Sequence, residues 1–246
     1  MFDFFKKKNK EVNNEKTTNI NNRVNLSKID LRKKTVNSIC LEKKELINLK
    51  SKVALVLDFS YSMERLYTDG TVQDIVERIF PLALQFDDDG ELDLWIFKDS
   101  FIRLGSVNTS NISGYVDKIY KKYSMGLTCY APVMEDIFKK YIKEEKSKLP
   151  SYVIFITDGD NSDKAETEKL IKNISSMPIF WQFIGIGKEN FSFLNKLDNM
   201  KGRVTDNANF FKIEDINTIS DKELYKKLLN EYPNWLKEAK KYNILK

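Results

Sequence analysis

Val53-Ala54-Leu55-Val56-Leu57-Asp58-Phe59-Ser60-Tyr61-Ser62-Met63 is the stretch whose reading decides the fold. Five apolar residues in succession describe a strand buried on both faces, as in a parallel sheet. The strand ends on Asp58, and two hydroxyls follow at alternate positions, Ser60 and Ser62. At the carboxyl end of a central strand, a D-x-S-x-S turn can aim three oxygens at one point. Oxygen donors without nitrogen or sulfur suit a hard divalent cation, magnesium or manganese before zinc. Alone, such a cluster is equally a turn, so further ligands must come from elsewhere in the chain.

Composition narrows the chemistry. The 246 residues contain no histidine, which removes Ser-His-Asp and Cys-His nucleophile systems, His-ligated zinc and imidazole bases together. Enzymes built on Asp, Lys or a metal stay open. An apolar fraction of 41%, with 16 Phe and 11 Tyr, supplies a core for one α/β domain. No apolar run approaches a membrane span, and the start, Met1-Phe2-Asp3-Phe4-Phe5-Lys6-Lys7-Lys8, has the wrong order for a secretory signal. Cys40 and Cys129 are too few for a disulfide framework, so a reducing, cytoplasmic setting is expected. Residues 1–50 carry 13 Lys+Arg against 6 Asp+Glu. No aromatic-interleaved basic motif or zinc knuckle accompanies them, so nucleic acid is not the expected partner.

The expected organisation is a basic, unstructured segment over residues 1–25, a helical extension over 26–47, and one domain over 48–246. In that domain Thr71 is read as the cap of a helix reaching Phe86, with Pro81 kinking or splitting it. Asp87-Asp88-Asp89-Gly90 invites a calcium loop, but Gln85 and Ile96 stand where carboxylates are needed, so the run reads as a turn. Strands are expected at Leu92–Phe97, Phe101–Leu104, Ser151–Thr157, Ile179–Ile184 (stopped by Gly185 and Gly187) and Asn209–Ile213. Helices are expected near Ile112–Tyr123, from Ala131-Pro132 through Tyr141, at Lys164–Ser175, Phe191–Leu197, Asp221–Glu231 and Pro233–Tyr242. Trp235 and Leu236 mark the last helix as docked.

Alternating strands and helices give a doubly wound, mostly parallel six-stranded α/β sheet of order 3-2-1-4-5-6, with strand 3 antiparallel. Ligands bind such sheets between strands 1 and 4. Asp58 ends strand 1 and Asp158 ends strand 4, and Thr128 lies in a third loop at the same edge. The candidate metal site is therefore Asp58, Ser60, Ser62, Thr128 and Asp158. Two facing carboxylates repel unless a cation sits between them. Magnesium takes six oxygens and keeps waters. The hydroxyls of Ser60, Ser62 and Thr128 would bind it directly and the aspartates through water, leaving one position open to an acidic group of a partner.

With these residues in view, the sequence resembles a von Willebrand factor A (VWA) domain. The metal-ion-dependent adhesion site (MIDAS) of that family is D-x-S-x-S, then Thr, then Asp, matched by Asp58, Ser60, Ser62, Thr128 and Asp158. Within the family it is similar to bacterial tellurium-resistance, TerF-like VWA proteins, through Val53–Met63, Phe86–Glu91, Thr128–Met134 and Leu228–Leu236. Two positions depart from the pattern: Tyr61 stands where a small Gly is usual, and a single Gly126 replaces a Gly pair. The resemblance implies a Rossmann-like fold and a non-enzymatic, metal-dependent protein-binding module. Its cation is magnesium or manganese, with calcium a weaker candidate. Its partner presents an Asp or Glu carboxylate, and its setting is tellurium resistance or stress response.

A magnesium-dependent phosphohydrolase of the haloacid-dehalogenase type is the alternative, since it too places an Asp, here Asp58, at the end of its first strand. That chemistry needs a second Asp two residues on as general acid, and the position holds Ser60. Generic phosphoester hydrolysis in magnesium should therefore stay at the no-protein background. Turnover that disappears in Asp58→Ala would restore the hydrolase.

Overall fold

The computed structural model describes residues 27–87 and 89–246. The expected unstructured segment, residues 1–25, lies outside them, as does Asp88 of the acidic run. Six strands form one sheet: β1 Lys52–Asp58, β2 Leu92–Phe97, β3 Phe101–Val107, β4 Ser151–Thr157, β5 Ile179–Ile186 and β6 Ala208–Ile213. Their order is β3-β2-β1-β4-β5-β6. Every neighbouring pair is parallel except β2–β3, which is the antiparallel hairpin the sequence requires.

Helices cover both faces, and the alternation of β1 sorts the layers. Val53, Leu55 and Leu57 enter one core, with Ile75, Leu82, Leu224 and Trp235. Ala54 and Val56 enter the other, with Val133, Ile171 and Leu194. Successive strand residues point to opposite faces, so Asp58 continues the second set.

The first layer holds α1 (helical over residues 27–41), α3 (Thr71–Phe86), α8 (Asp221–Leu228) and α9 (Tyr232–Lys241). Between α1 and α3 lies the short α2 (Glu64–Thr68). The helix expected to reach residue 46 breaks after residue 41 and resumes as a 3-10 turn, Lys44–Leu46. Thr71 does not cap α3. Gly70 takes that position at φ 86°, and Asp69 Oδ1 accepts the Thr71 amide at 3.0 Å. Pro81 does not split the helix either: its ring is buried, and the only bond it removes is the one its missing N–H would donate.

The second layer holds α5 (Ala131–Phe138), which continues as a π-helical turn, Lys139–Glu144, together with α6 (Lys164–Asn173) and α7 (Ser192–Asp198). The shorter α4 (Tyr115–Lys122) packs beside α2 and α3. β5 is not stopped at Gly185 but runs through it to Ile186. A Cβ there would come within 2.7 Å of the Phe191 ring, so this glycine makes room for packing.

Trp235 and Leu236 are buried, and the Trp235 indole donates to Thr205 Oγ1 at 3.2 Å, so the last helix is docked. The neighbouring α8 is clasped by Arg78 of α3. Its guanidinium donates to Asp221 Oδ1 at 2.7 Å and to the carbonyls of Ile216 and Ile219 at 2.7 and 2.6 Å. Arg32 of α1 bonds the other oxygen of Asp221 and also Asp74, both at 3.0 Å. Replacing Arg78 by Met should cost about 2–3 kcal/mol in urea unfolding, since it strands two carbonyls while Asp221 keeps Arg32. An unchanged midpoint would contradict this role.

Candidate metal centre

Asp58 is the last residue of β1 and has no exposed surface. Its Oδ1 accepts the amide of Ser60 at 2.8 Å, turning the chain sharply at the strand end. Its Oδ2 accepts the hydroxyl of Thr157 at 2.6 Å across the β1–β4 pair. The Ser60 and Ser62 hydroxyls lie 3.0 Å apart, and Ser62 Oγ donates to Asp158 Oδ1 at 2.8 Å. A serine has one proton to give, so with Ser62 donating to Asp158 it is Ser60 that donates to Ser62. Four of the five expected residues thus join in one chain of hydrogen bonds. β4 closes on Thr157, so Asp158 is the first residue beyond the strand rather than its last.

The fifth residue, Thr128, arrives on a loop fixed by its backbone. Ser60 and Gly126 form a parallel bridge. Gly126 N donates to Phe59 O and Tyr61 N to Gly126 O, both at 3.2 Å. On the far side, Cys129 N donates to Lys98 O at 2.9 Å and Ser162 N to Thr128 O at 3.0 Å. A Cβ on Gly126 would come within 2.9 Å of the Lys98 side chain, so a larger residue there would have to push that lysine aside. The Thr128 hydroxyl makes no hydrogen bond among the described residues. Cys129 is half-buried rather than buried, with its sulfur 3.2 Å from Ser162 Oγ.

Three residues that hold this arrangement, Thr157, Tyr130 and Tyr67, escaped the sequence reading, and a fourth, Asp163, reads in the sequence as a turn or helix-cap residue. Thr157 spends its proton on Asp58, which leaves its Oγ1 an acceptor for the Tyr130 hydroxyl at 3.2 Å, and Tyr130 lies closer still to its other acceptor, Gly159 O, at 2.6 Å. Tyr67 donates to the carbonyl of Asp58 at 2.9 Å. Asp163 stands at the start of α6 but accepts the amides of Tyr130 and Ala131, at 2.9 and 2.7 Å, and so caps α5 instead. Asp160 pairs with Lys164 as a surface turn residue. Only the adjacency of Thr157 to Asp158 was visible in the chain.

Residues 50–245 match the sequence family described as "vWA found in TerF C terminus". The chain belongs to this vWA-TerF-like family. It is 48% identical over 225 residues to the uncharacterized protein YcbR of Bacillus subtilis (strain 168), covering 90% of this chain and 91% of that one. Among solved structures it is similar to the SpRpn10 VWA domain, with a TM-score of 0.53 and 15% identity over 75% of this chain and 96% of that one. It is also similar to proximal thread matrix protein 1 from the mussel byssus, solved with a zinc-occupied MIDAS motif, with a TM-score of 0.50 and 19% identity. That match covers 73% of this chain but 46% of the mussel protein, less than half its length.

The electrostatics of this vWA-TerF-like centre favour a cation. Among the described residues neither Asp58 nor Asp158 forms an ion pair, and only neutral hydroxyls and amides answer them. Burial pushes the Asp58 carboxyl up to about 7, against the pull of its Ser60 and Thr157 hydrogen bonds. Burial likewise raises Asp158, with Glu189 adding to it. Two acids meet here, and no group of three His, Cys, Asp or Glu side chains gathers anywhere among the described residues. The two acids and the Ser60 and Ser62 hydroxyls are oxygen donors only, a chemistry that fits a hard divalent ion, with Thr128 on the adjoining bonded loop.

Asp58 should therefore set a pH dependence in chelator-treated protein. Below about pH 4 it is protonated in both the folded and the unfolded chain. Between pH 4 and 7 the unfolded chain ionises while the folded one holds its proton, so stability falls by at most about 1.4 kcal/mol per pH unit and then levels off. Asp58→Asn should remove this component, read as the difference between the two unfolding curves. Parallel curves across that range would assign the burden to another group.

Proposed function

We propose that the protein is a non-enzymatic adhesion module, in which a magnesium or manganese ion held by Asp58, Ser60, Ser62, Thr128 and Asp158 captures a carboxylate of a partner protein. One observation carries this reading: a wholly buried Asp58 is linked to Asp158 through two serines, with no cationic side chain among the described residues to balance either. A bound divalent ion would supply that balance and an electrophilic position for an incoming Asp or Glu. Each residue has a distinct part. Asp58, anchored by Thr157 and the Ser60 amide, provides charge from a position too fixed to move toward a ligand. Ser62 gives its proton to Asp158 and, accepting one bond from Ser60, keeps a second lone pair with which to meet a cation. Thr128 has an uncommitted hydroxyl. Hydroxyl donors neutralise less charge than carboxylates, so a site built this way keeps its attraction for an external acid.

Family membership supports association with tellurium resistance or stress response, at the level of the family alone. The proposed setting is cytoplasmic, in keeping with the free thiols of Cys40 and Cys129. No described helix is long and apolar enough to cross a membrane. The division we propose is a basic segment over 1–25, an accessory helical region over 26–47 and the binding domain over 48–246.

Calorimetric titration of the full chain with magnesium or manganese should give one site. Ser60→Ala should weaken it at least ten-fold and Asp58→Ala should abolish it, with circular dichroism confirming the fold of each variant. Undiminished binding in a folded Asp58→Ala would contradict the reading.

A further inference from the structure

The two most exposed large apolar side chains among the described residues are Leu127, at 69%, and Tyr61, at 66%. Tyr61 lies between Ser60 and Ser62, and Leu127 immediately precedes Thr128. Both follow the bridged pair Ser60–Gly126, and the amide of Tyr61 is bonded to the Gly126 carbonyl. Tyr61 opens a 3-10 turn, Tyr61–Met63, directly after this bridge, and Leu127 leaves it on the adjoining loop. The Tyr61 hydroxyl makes no hydrogen bond among the described residues, and neither side chain joins a core cluster. A backbone held by hydrogen bonds thus keeps two apolar side chains in water at the lip of the oxygen cluster. Apolar area displayed in this way favours an apolar contact from outside.

Of the charges nearby, Glu189 bears on Asp158 electrostatically, Asp160 is paired with Lys164, and the Lys98 side chain lies against Gly126 with its amine on Ser124 O. A partner carboxylate has one place to go, and the apolar lip beside it gives a second acid no favourable contact. We infer that the partner presents a single Asp or Glu flanked by bulky apolar side chains, the acid going to the metal centre and an apolar neighbour packing on Tyr61 and Leu127. This rests on the metal-dependent reading above and names the chemistry of the partner for that same site.

The test uses the full chain in saturating magnesium and three peptides, acetyl-Leu-Asp-Leu-amide, acetyl-Ser-Asp-Ser-amide and acetyl-Glu-Asp-Glu-amide, titrated by NMR. The leucine peptide should bind at least five-fold tighter than either the serine or the glutamate peptide. In the double variant Tyr61→Ser, Leu127→Ser the leucine-to-serine ratio should fall to near one, with magnesium binding unchanged by calorimetry. Equal affinities in the wild type, a ratio that survives in the double variant, or no binding of any peptide to the loaded protein would each overturn the inference. Failure of the wild type to bind magnesium or manganese at all would instead overturn the underlying metal reading.

Discussion

The bond from Thr157 Oγ1 to Asp58 Oδ2, 2.6 Å long and wholly buried, is where the sheet and the candidate centre become one structure. A carboxylate without solvent contact requires donors on its oxygens, and here each donor is fixed by a different part of the fold. Thr157 is set opposite by the β1–β4 register, in which Leu57 pairs with Ile156. The Ser60 amide comes from the turn that Asp58 itself folds. Behind Thr157 stands Tyr130, whose ring packs edge-on against Phe97 and Phe155 at 5.5 and 4.9 Å. Its amide is held in turn by Asp163. Loosening any of these would shift the carboxylate, so the charge at the centre is pre-positioned by the core.

The layers divide the labour. The face formed with α5, α6 and α7 carries Tyr130 and supports Asp58 from the side on which its carboxylate lies. The opposite face, with α1, α3, α8 and α9, supplies most of the apolar burial and is clasped by the Arg78 and Arg32 bonds to Asp221. The serines, Thr128 and Tyr61 project from loops bonded to one another through backbone groups, and their side chains can exchange partners without disturbing the sheet. Rigid support beneath and exchangeable hydroxyls above is what a reversible cation site needs.

Much of this was legible in the chain because its signals are local. β1, β4 and β5 are unbroken apolar runs, and βαβ alternation with right-handed crossovers leaves few orders for such a sheet. Asp58 and Asp158 follow from the switch-point rule once strands 1 and 4 are neighbours. What escaped depends on contacts distant in sequence. Tyr130 reads as one more core aromatic, and nothing near it announces a hydroxyl reaching Gly159. Asp163 reads as the cap of the helix it precedes, whereas it caps one that begins 32 residues earlier. Pro81 and Gly185 read as breaks because local rules assume an isolated element, and tertiary packing overrode both.

The central claim is that a buried Asp58 and a half-buried Asp158, bridged by serine hydroxyls and without a cationic partner among the described residues, form a cation site. Anomalous diffraction from crystals of the full chain grown with manganese tests it most directly. The account predicts one strong manganese peak within coordination distance of the Ser60 and Ser62 hydroxyls, beside Asp58 and Asp158. A crystal grown with manganese that shows no peak there, or one only at another place, would contradict it.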